Sequence, residues 1–311
     1  MKPLRIEGLT KEFRLGLGRQ RVVALEHLDL EVEQGEIFGF LGHNGAGKTT
    51  TIKLLLGLLF PTAGRGWILE RPIEEVAVKQ HVGFLPESPY FYEYLTAEEF
   101  LTFYGQLFGL GSQALAKKID ELLAMVSLTH ARHLPLRKFS KGMLQRIGLA
   151  QALVNDPQVV ILDEPMSGLD PIGRRDVRDI ILRLKDQGKT IFFSTHILPD
   201  VEMICDRVGI LVKGQLRAVG AVHELVGTAA VTSVEILVER LAEAGVREAE
   251  QLGGTVVRRG NHVLIKLDDE HKVDQVLDLI RRHAGRLVSL VPHKRSLEDL
   301  FLKETVEVGP T

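Results

Sequence analysis

One short stretch constrains this chain more than any other. Gly42-His43-Asn44-Gly45-Ala46-Gly47-Lys48-Thr49 matches G-x-x-x-x-G-K-[ST]. The apolar run Ile37–Leu41 leads straight into it. Helical spacing follows, with Ile52, Leu55, Leu56 and Leu59 on one face until Pro61. A strand, a glycine-rich loop and a helix in that order are the context the motif requires. The glycines let backbone N–H groups close around phosphate oxygens, and the helix N-terminus adds favourable potential. Lys48 suits the β- and γ-phosphates of a nucleotide, and the Thr49 hydroxyl suits a Mg²⁺ ion. Gly42, His43, Asn44, Gly45, Ala46, Gly47 and Thr50 complete the expected nucleotide-binding set.

A second constellation lies downstream. Val159–Leu162 is a run of apolar residues ending in Asp163 and Glu164. A parallel strand buried on both faces reads this way, and ligands gather at the carboxyl ends of such strands. Asp163 is the candidate for holding Mg²⁺, through water. Adjacent strand residues point to opposite faces, so Glu164 is free for another task. It is the candidate for polarising the attacking water. His196 follows the strand Thr190–Thr195, and from a strand end it can point toward the γ-phosphate.

Between and after these motifs, strand and helix alternate. Strands are expected at Ile191–Phe193 and Val208–Val212, and helices at Val177–Leu184 and Val201–Cys205. That alternation predicts an α/β fold with a parallel sheet. The N-terminal runs Val22–Leu25 and Leu28–Val32 alternate at period two, predicting strands. Residues 95–155 read mainly as helical, with Phe100, Phe103 and Phe108 packing that block. Beyond residue 220 the order is strand 234–238, helix 241–252, strands 255–258 and 262–267, helix 273–283 and strand 287–291. That order predicts a small α+β, ferredoxin-like arrangement. A last helix, 297–303, can be capped by Ser296. The expected organisation is therefore a domain over residues 1–220, with a helical subdomain about 88–155, and an accessory domain over 221–311.

Bulk properties exclude several classes. The single cysteine, Cys205, rules out a disulfide framework and a cysteine-based metal site. A formal net charge of -2 gives no basic excess for nucleic acid. No run reaches the ~18 apolar residues of a membrane helix, and the N-terminus has no signal-peptide core. These features predict a cytoplasmic location.

Many phosphate-loop enzymes share the motifs so far. Phe139-Ser140-Lys141-Gly142-Met143-Leu144-Gln145-Arg146 is more specific, because it resembles the ABC signature, usually written LSGGQ. Phe13 resembles the aromatic that stacks on adenine, and Gly83-Phe84-Leu85-Pro86-Glu87 the Q-loop. Ser167-Gly168-Leu169-Asp170 resembles the D-loop, and His196 the switch histidine. The resemblance to the ABC ATPases covers residues 1 to about 220. It implies a P-loop NTPase core with an N-terminal antiparallel β subdomain and a helical insertion. It implies ATP hydrolysis with Mg²⁺ and a head-to-tail dimer, in which Ser140 and Gly142 meet nucleotide bound by the other copy, and it adds Asp170 of the D-loop to the nucleotide-binding set.

The departures narrow the branch. Glu87 stands where most members have glutamine, giving a carboxylate contact to Mg²⁺, while Lys141 and Met143 replace a glycine and a glutamine. Leu-Pro-Glu, a Phe-Ser-Lys-Gly-Met signature and Leu297–Phe301 resemble ATPases paired with ABC-2-type export permeases. The implied partners are a membrane permease on a separate chain and a second copy of this chain, with the protein peripheral on the inner face of the membrane. The alternative is an ABC ATPase acting on nucleic acid or ribosomes. One ATPase unit, the absence of a long coiled coil between Lys48 and Ser140, and the missing basic charge disfavour it.

Overall fold

The computed structural model describes residues 2–15, 20–226, 231–294 and 296–306. The chain divides into two compact units, Met1–Val222 and His223–Val306.

The first unit opens with β1 (Leu4–Leu15) and β2 (Gln20–Val32), an antiparallel pair. β3 (Ile37–Leu41) is buried along its whole length and runs into α1 (Lys48–Leu55). The helix stops before the predicted Leu59. Leu56 caps it, and Gly57, at φ 64°, takes the left-handed conformation that commonly ends a helix. β4 (Ala63–Ile68) and β5 (Arg71–Pro72) then complete an antiparallel sheet in the order β2-β1-β4-β5.

β6 (Val82–Leu85) leads toward three helices: α2 (Ala97–Leu107), α3 (Ser112–Met125) and α4 (Lys141–Ala152). A capping box starts α2. The Thr96 hydroxyl accepts from the Glu99 backbone N–H at 3.2 Å, and Glu99 Oε2 accepts from the Thr96 N–H at 2.8 Å. Phe100 is 1% exposed, as expected, but Phe103 and Phe108 are 38% and 40% exposed. Phe103 lies off the buried stripe of Ala97, Phe100 and Leu101, and Phe108 caps the helix end. The expectation that all three pack the block is corrected for these two.

β7 (Val159–Asp163), α5 (Pro171–Asp186), β8 (Thr190–Thr195), α6 (Leu198–Ile204), β9 (Arg207–Val212) and β10 (Gln215–Ala221) finish the alternation. The second sheet runs β10-β9-β3-β8-β7-β6, parallel except for the β9–β10 hairpin. β7 and β8 are also fully buried, which explains their unbroken apolar reading. Phe38 and Phe192 stack in this core with ring centroids 5.8 Å apart. Each such buried side chain contributes about 1.5–3 kcal/mol.

After α7 (Val222–Leu225), the second unit holds β11 (Val231–Glu239), α8 (Glu243–Gln251), β12 (Thr255–Arg259), β13 (His262–Leu267), α9 (Val273–Arg282), β14 (Arg286–Lys294) and α10 (Leu297–Val306). Its antiparallel sheet has the order β12-β13-β11-β14. With helices after its first and third strands, this is the ferredoxin-like arrangement. Ile236, Val263 and Ile265 from the sheet cluster with Val246 and Ala249 of α8 and Val276 and Leu279 of α9. Among the described residues no helix is long and apolar enough to cross a membrane.

Candidate functional site

The parallel strands deliver their carboxyl ends to one edge. Register sets Leu41 of β3 beside Thr195 of β8, and Asp163 of β7 beside Ser194. The loops after these strands therefore begin side by side.

Gly42 N–H donates to Thr195 O at 3.2 Å, anchoring the phosphate loop to β8. Gly45 (φ 81°) and Gly47 (φ 111°) take conformations that side chains rarely adopt. At Gly47 a Cβ would also lie 2.6 Å from the Ala24 carbonyl oxygen. The loop thus closes tightly against β2, and α1 starts with its first N–H groups unclaimed by any side-chain cap. Among the described residues, no cluster of three metal-ligating side chains exists.

Lys48 is buried. Its ammonium donates to Gly42 O at 2.6 Å and His43 O at 3.2 Å, and lies 3.1 Å from Glu164 Oε1. The last contact is an ion pair without hydrogen-bond alignment, so Oε1 has no hydrogen-bond partner although it is fully buried. Glu164 Oε2 sits 2.8 Å from His196 Nδ1. Glu164 itself has φ 50°, a conformation costing about 1–3 kcal/mol in a non-glycine residue. Ser194 holds it there: the Glu164 N–H donates to Ser194 O at 3.2 Å and to Ser194 Oγ at 3.0 Å. The same hydroxyl donates to Asp163 Oδ1 at 2.5 Å. One serine thus orients both carboxylates.

These groups border a cleft of about 210 Å³, lined by His43, Asn44, Gly45, Gly47, Lys48, Thr49, Thr50, Ala24, Glu87 and Glu164. The glycine cradle, the buried ammonium and a buried carboxylate oxygen without a hydrogen bond fit a magnesium–nucleotide. Mg²⁺ keeps several waters and leans on substrate phosphates, so it needs no cage of protein ligands.

Gly42, Ala46, Asp163 and His196 are not among its walls but adjoin residues that are, His196 through its hydrogen bond to Glu164, and four further expected residues lie apart from it. Phe13 does not line it; the ring lies 5.2 Å from the Lys11 ammonium, and Phe13 pairs with Val22 across β1 and β2. Ser140 caps α4, accepting from Met143 N–H at 3.3 Å, and Asp170 caps α5, accepting from Gly173 N–H at 2.8 Å. Ser140 and Asp170 are exposed and Gly142 half-buried. Sequence reasoning missed Ser194 and Ala24. The serine's only signal was its place between an apolar strand and His196, and the alanine carried none.

A larger groove of about 470 Å³ runs between the Glu87 loop and α4, with Tyr90, Phe91, Phe139 and Lys141 among its walls. Tyr90 is 83% exposed there, whereas Phe91 packs on Phe100 (5.5 Å) and Tyr92 on Phe103 (5.5 Å).

A parallel sheet with a phosphate loop, paired carboxylates and a strand-end histidine at one edge, carrying a helical insertion, defines an ATPase cassette. The chain belongs to the ABC transporter ATP-binding proteins. The ABC transporter family profile matches residues 25–167. An uncharacterized ABC transporter ATP-binding protein of Synechocystis is 45% identical over 97% of this chain and 84% of its own length. The linearmycin resistance ATP-binding protein of Bacillus subtilis is 31% identical over 97% of this chain and 98% of its own. A solved ATP-binding subunit of an ABC transporter, 31% identical, superposes with a TM-score of 0.63 over 71% of this chain and 91% of that one. The protein is an ATP-binding subunit of an ABC transporter, and its reaction is the hydrolysis of ATP with Mg²⁺.

Proposed function

We propose that two copies of this chain close head to tail around two ATP molecules and drive a separate membrane permease, in the direction of export. One observation carries this reading. The phosphate loop and Glu164 share a cleft, with His196 hydrogen-bonded to Glu164, while Ser140, Gly142 and Asp170 are not among its walls. A second copy, facing the first, brings those residues to the nucleotide.

In this reading Lys48 and the loop N–H groups bind the triphosphate, and Phe13 stacks on adenine. Thr49, Asp163 and Glu87 hold Mg²⁺, which neutralises phosphate charge. Glu164 takes a proton from the attacking water, and His196, hydrogen-bonded to its carboxylate, keeps that carboxylate aimed. Ser140 and the N-terminus of α4 add donors to the γ-phosphate from the other copy. Contact from both sides makes ATP favour the closed dimer, and loss of the γ-phosphate releases it. Export is favoured by the linearmycin resistance relative, whose match extends through the second unit. The accessory domain, 221–311, either regulates or clamps the dimer or is a passive stabilising cap, and unchanged ATPase activity and transport on its removal would select the cap.

The reading is tested by purifying tagged Glu164→Gln protein from detergent-solubilised membranes with ATP present. A polytopic membrane protein lacking its own ATPase motifs should co-purify. Recovery of only soluble or nucleic-acid partners would overturn the transport claim. The exposed Tyr90 in the Glu87 groove fits a docking helix of that permease, since exposed aromatics are favoured at interfaces. Tyr90→Ala should leave basal ATPase activity within about twofold and weaken stimulation by the permease about tenfold. Unchanged stimulation would remove Tyr90 from the interface.

A further inference from the structure

The strained Glu164 is restrained from two directions, and only one of them comes from its own sheet. Before it, Ser194 holds its N–H. After it, Gln145 of α4 donates from Nε2 to the carbonyl oxygen of Pro165 at 2.8 Å. Gln145 is 7% exposed, so this hydrogen bond is dry and its loss would leave a buried acceptor unsatisfied. Lys141, one turn earlier on the same face of α4, reaches the loop's other end: a Cβ on Gly168 would collide with Lys141 Nζ. The helix capped by Ser140 therefore holds the segment running from Glu164 to Asp170 through the Gln145 hydrogen bond, with Lys141 lying close to its far end.

We infer that Gln145 is a positioning residue for Glu164, setting the aim of the hydrolytic carboxylate from the signature helix. A left-handed non-glycine residue persists only where its surroundings over-determine it. Ser194 fixes the peptide entering Glu164, and Gln145 fixes the carbonyl leaving the next residue. With the second restraint gone, the Glu164 side chain loses its register with Lys48 and His196. The place of α4 does not depend on this bond. Arg146 donates to Val126 O at 3.2 Å and pairs with Asp176 at 3.5 Å, while Ile147, Leu149 and Ala150 are buried. Removing the amide is thus a local change. The inference rests on the role proposed for Glu164.

Two variants test it in the full-length chain. Gln145→Leu keeps the volume and removes the donor; kcat for ATP should fall about tenfold with KM within twofold, the size of one lost hydrogen bond. Gln145→Glu is nearly isosteric, but when ionised it sets a carboxylate against a carbonyl. Burial raises the pKa of such an acid, and when protonated it donates as the amide does. Its kcat relative to the wild type should therefore rise at least about fivefold between pH 8 and pH 6. Glu164→Gln run alongside separates the two claims. If that variant is inactive while Gln145→Leu keeps kcat within twofold of wild type, the positioning role is overturned and the role of Glu164 stands. Full turnover in Glu164→Gln overturns both.

Discussion

Glu164→Gln should bind ATP at near wild-type affinity and hydrolyse it at least about a hundredfold more slowly, the scale of a lost general base. The side chain is buried, with Oε2 hydrogen-bonded to His196 and Oε1 facing Lys48 without a hydrogen bond. An amide keeps the shape and can still engage His196, so the cleft should survive. What it cannot do is accept a proton. The expected signature combines slow phosphate release with ATP-dependent dimers that persist on size exclusion, because the γ-phosphate is retained. Near-normal turnover would dismiss Glu164 and move the search for the base to the cleft's other titratable residues, Glu87 and His43.

Lys48→Ala should behave differently on two counts. ATP affinity should collapse, by about a hundredfold or more, because the buried ammonium is the strongest positive group of the cradle. Stability should also fall, since truncating one partner of a buried ion pair strands the other charge, at a cost of about 3–5 kcal/mol. His196 remains beside Glu164, so the lower end of that range is expected. Titration calorimetry reads the first effect and thermal melting without nucleotide reads the second. A variant that melts like the wild type would show that the Lys48–Glu164 contact is not a stabilising pair. Retained ATP affinity would remove Lys48 from the phosphate site.

Much of the molecule was legible before any coordinates. The phosphate loop, the apolar strand before Asp163 and the strand-to-histidine run each place chemistry at the end of a buried strand. A two-face-buried strand has an unbroken apolar reading that local sequence displays directly. The second unit was legible for a related reason: its strands and helices alternate apolar and polar positions at their own periods, and the sheet order followed from the element order. The boundaries were less so. α1 stops at Leu55 because Gly57 turns left-handed, although the apolar spacing continues to Leu59. The aromatic residues misled because period alone does not separate a buried stripe from its rim, which is where Phe103 lies.

The chain's own residues determined the class of chemistry: glycines where backbone must approach phosphate, a lysine and threonine at fixed spacing after them, and acids at a strand tip. Those are local requirements, met within a few consecutive residues, and so they are written in order. Tertiary structure alone decided how these groups engage one another. Ser194 orients Asp163 and Glu164 because parallel pairing sets β8 beside β7, and Gln145 reaches Pro165 because α4 lies against the loop leaving β7. Such contacts join residues 20 to 31 positions apart through hydrogen bonds formed only once the sheet and helices have packed. No periodicity or spacing in the sequence encodes them.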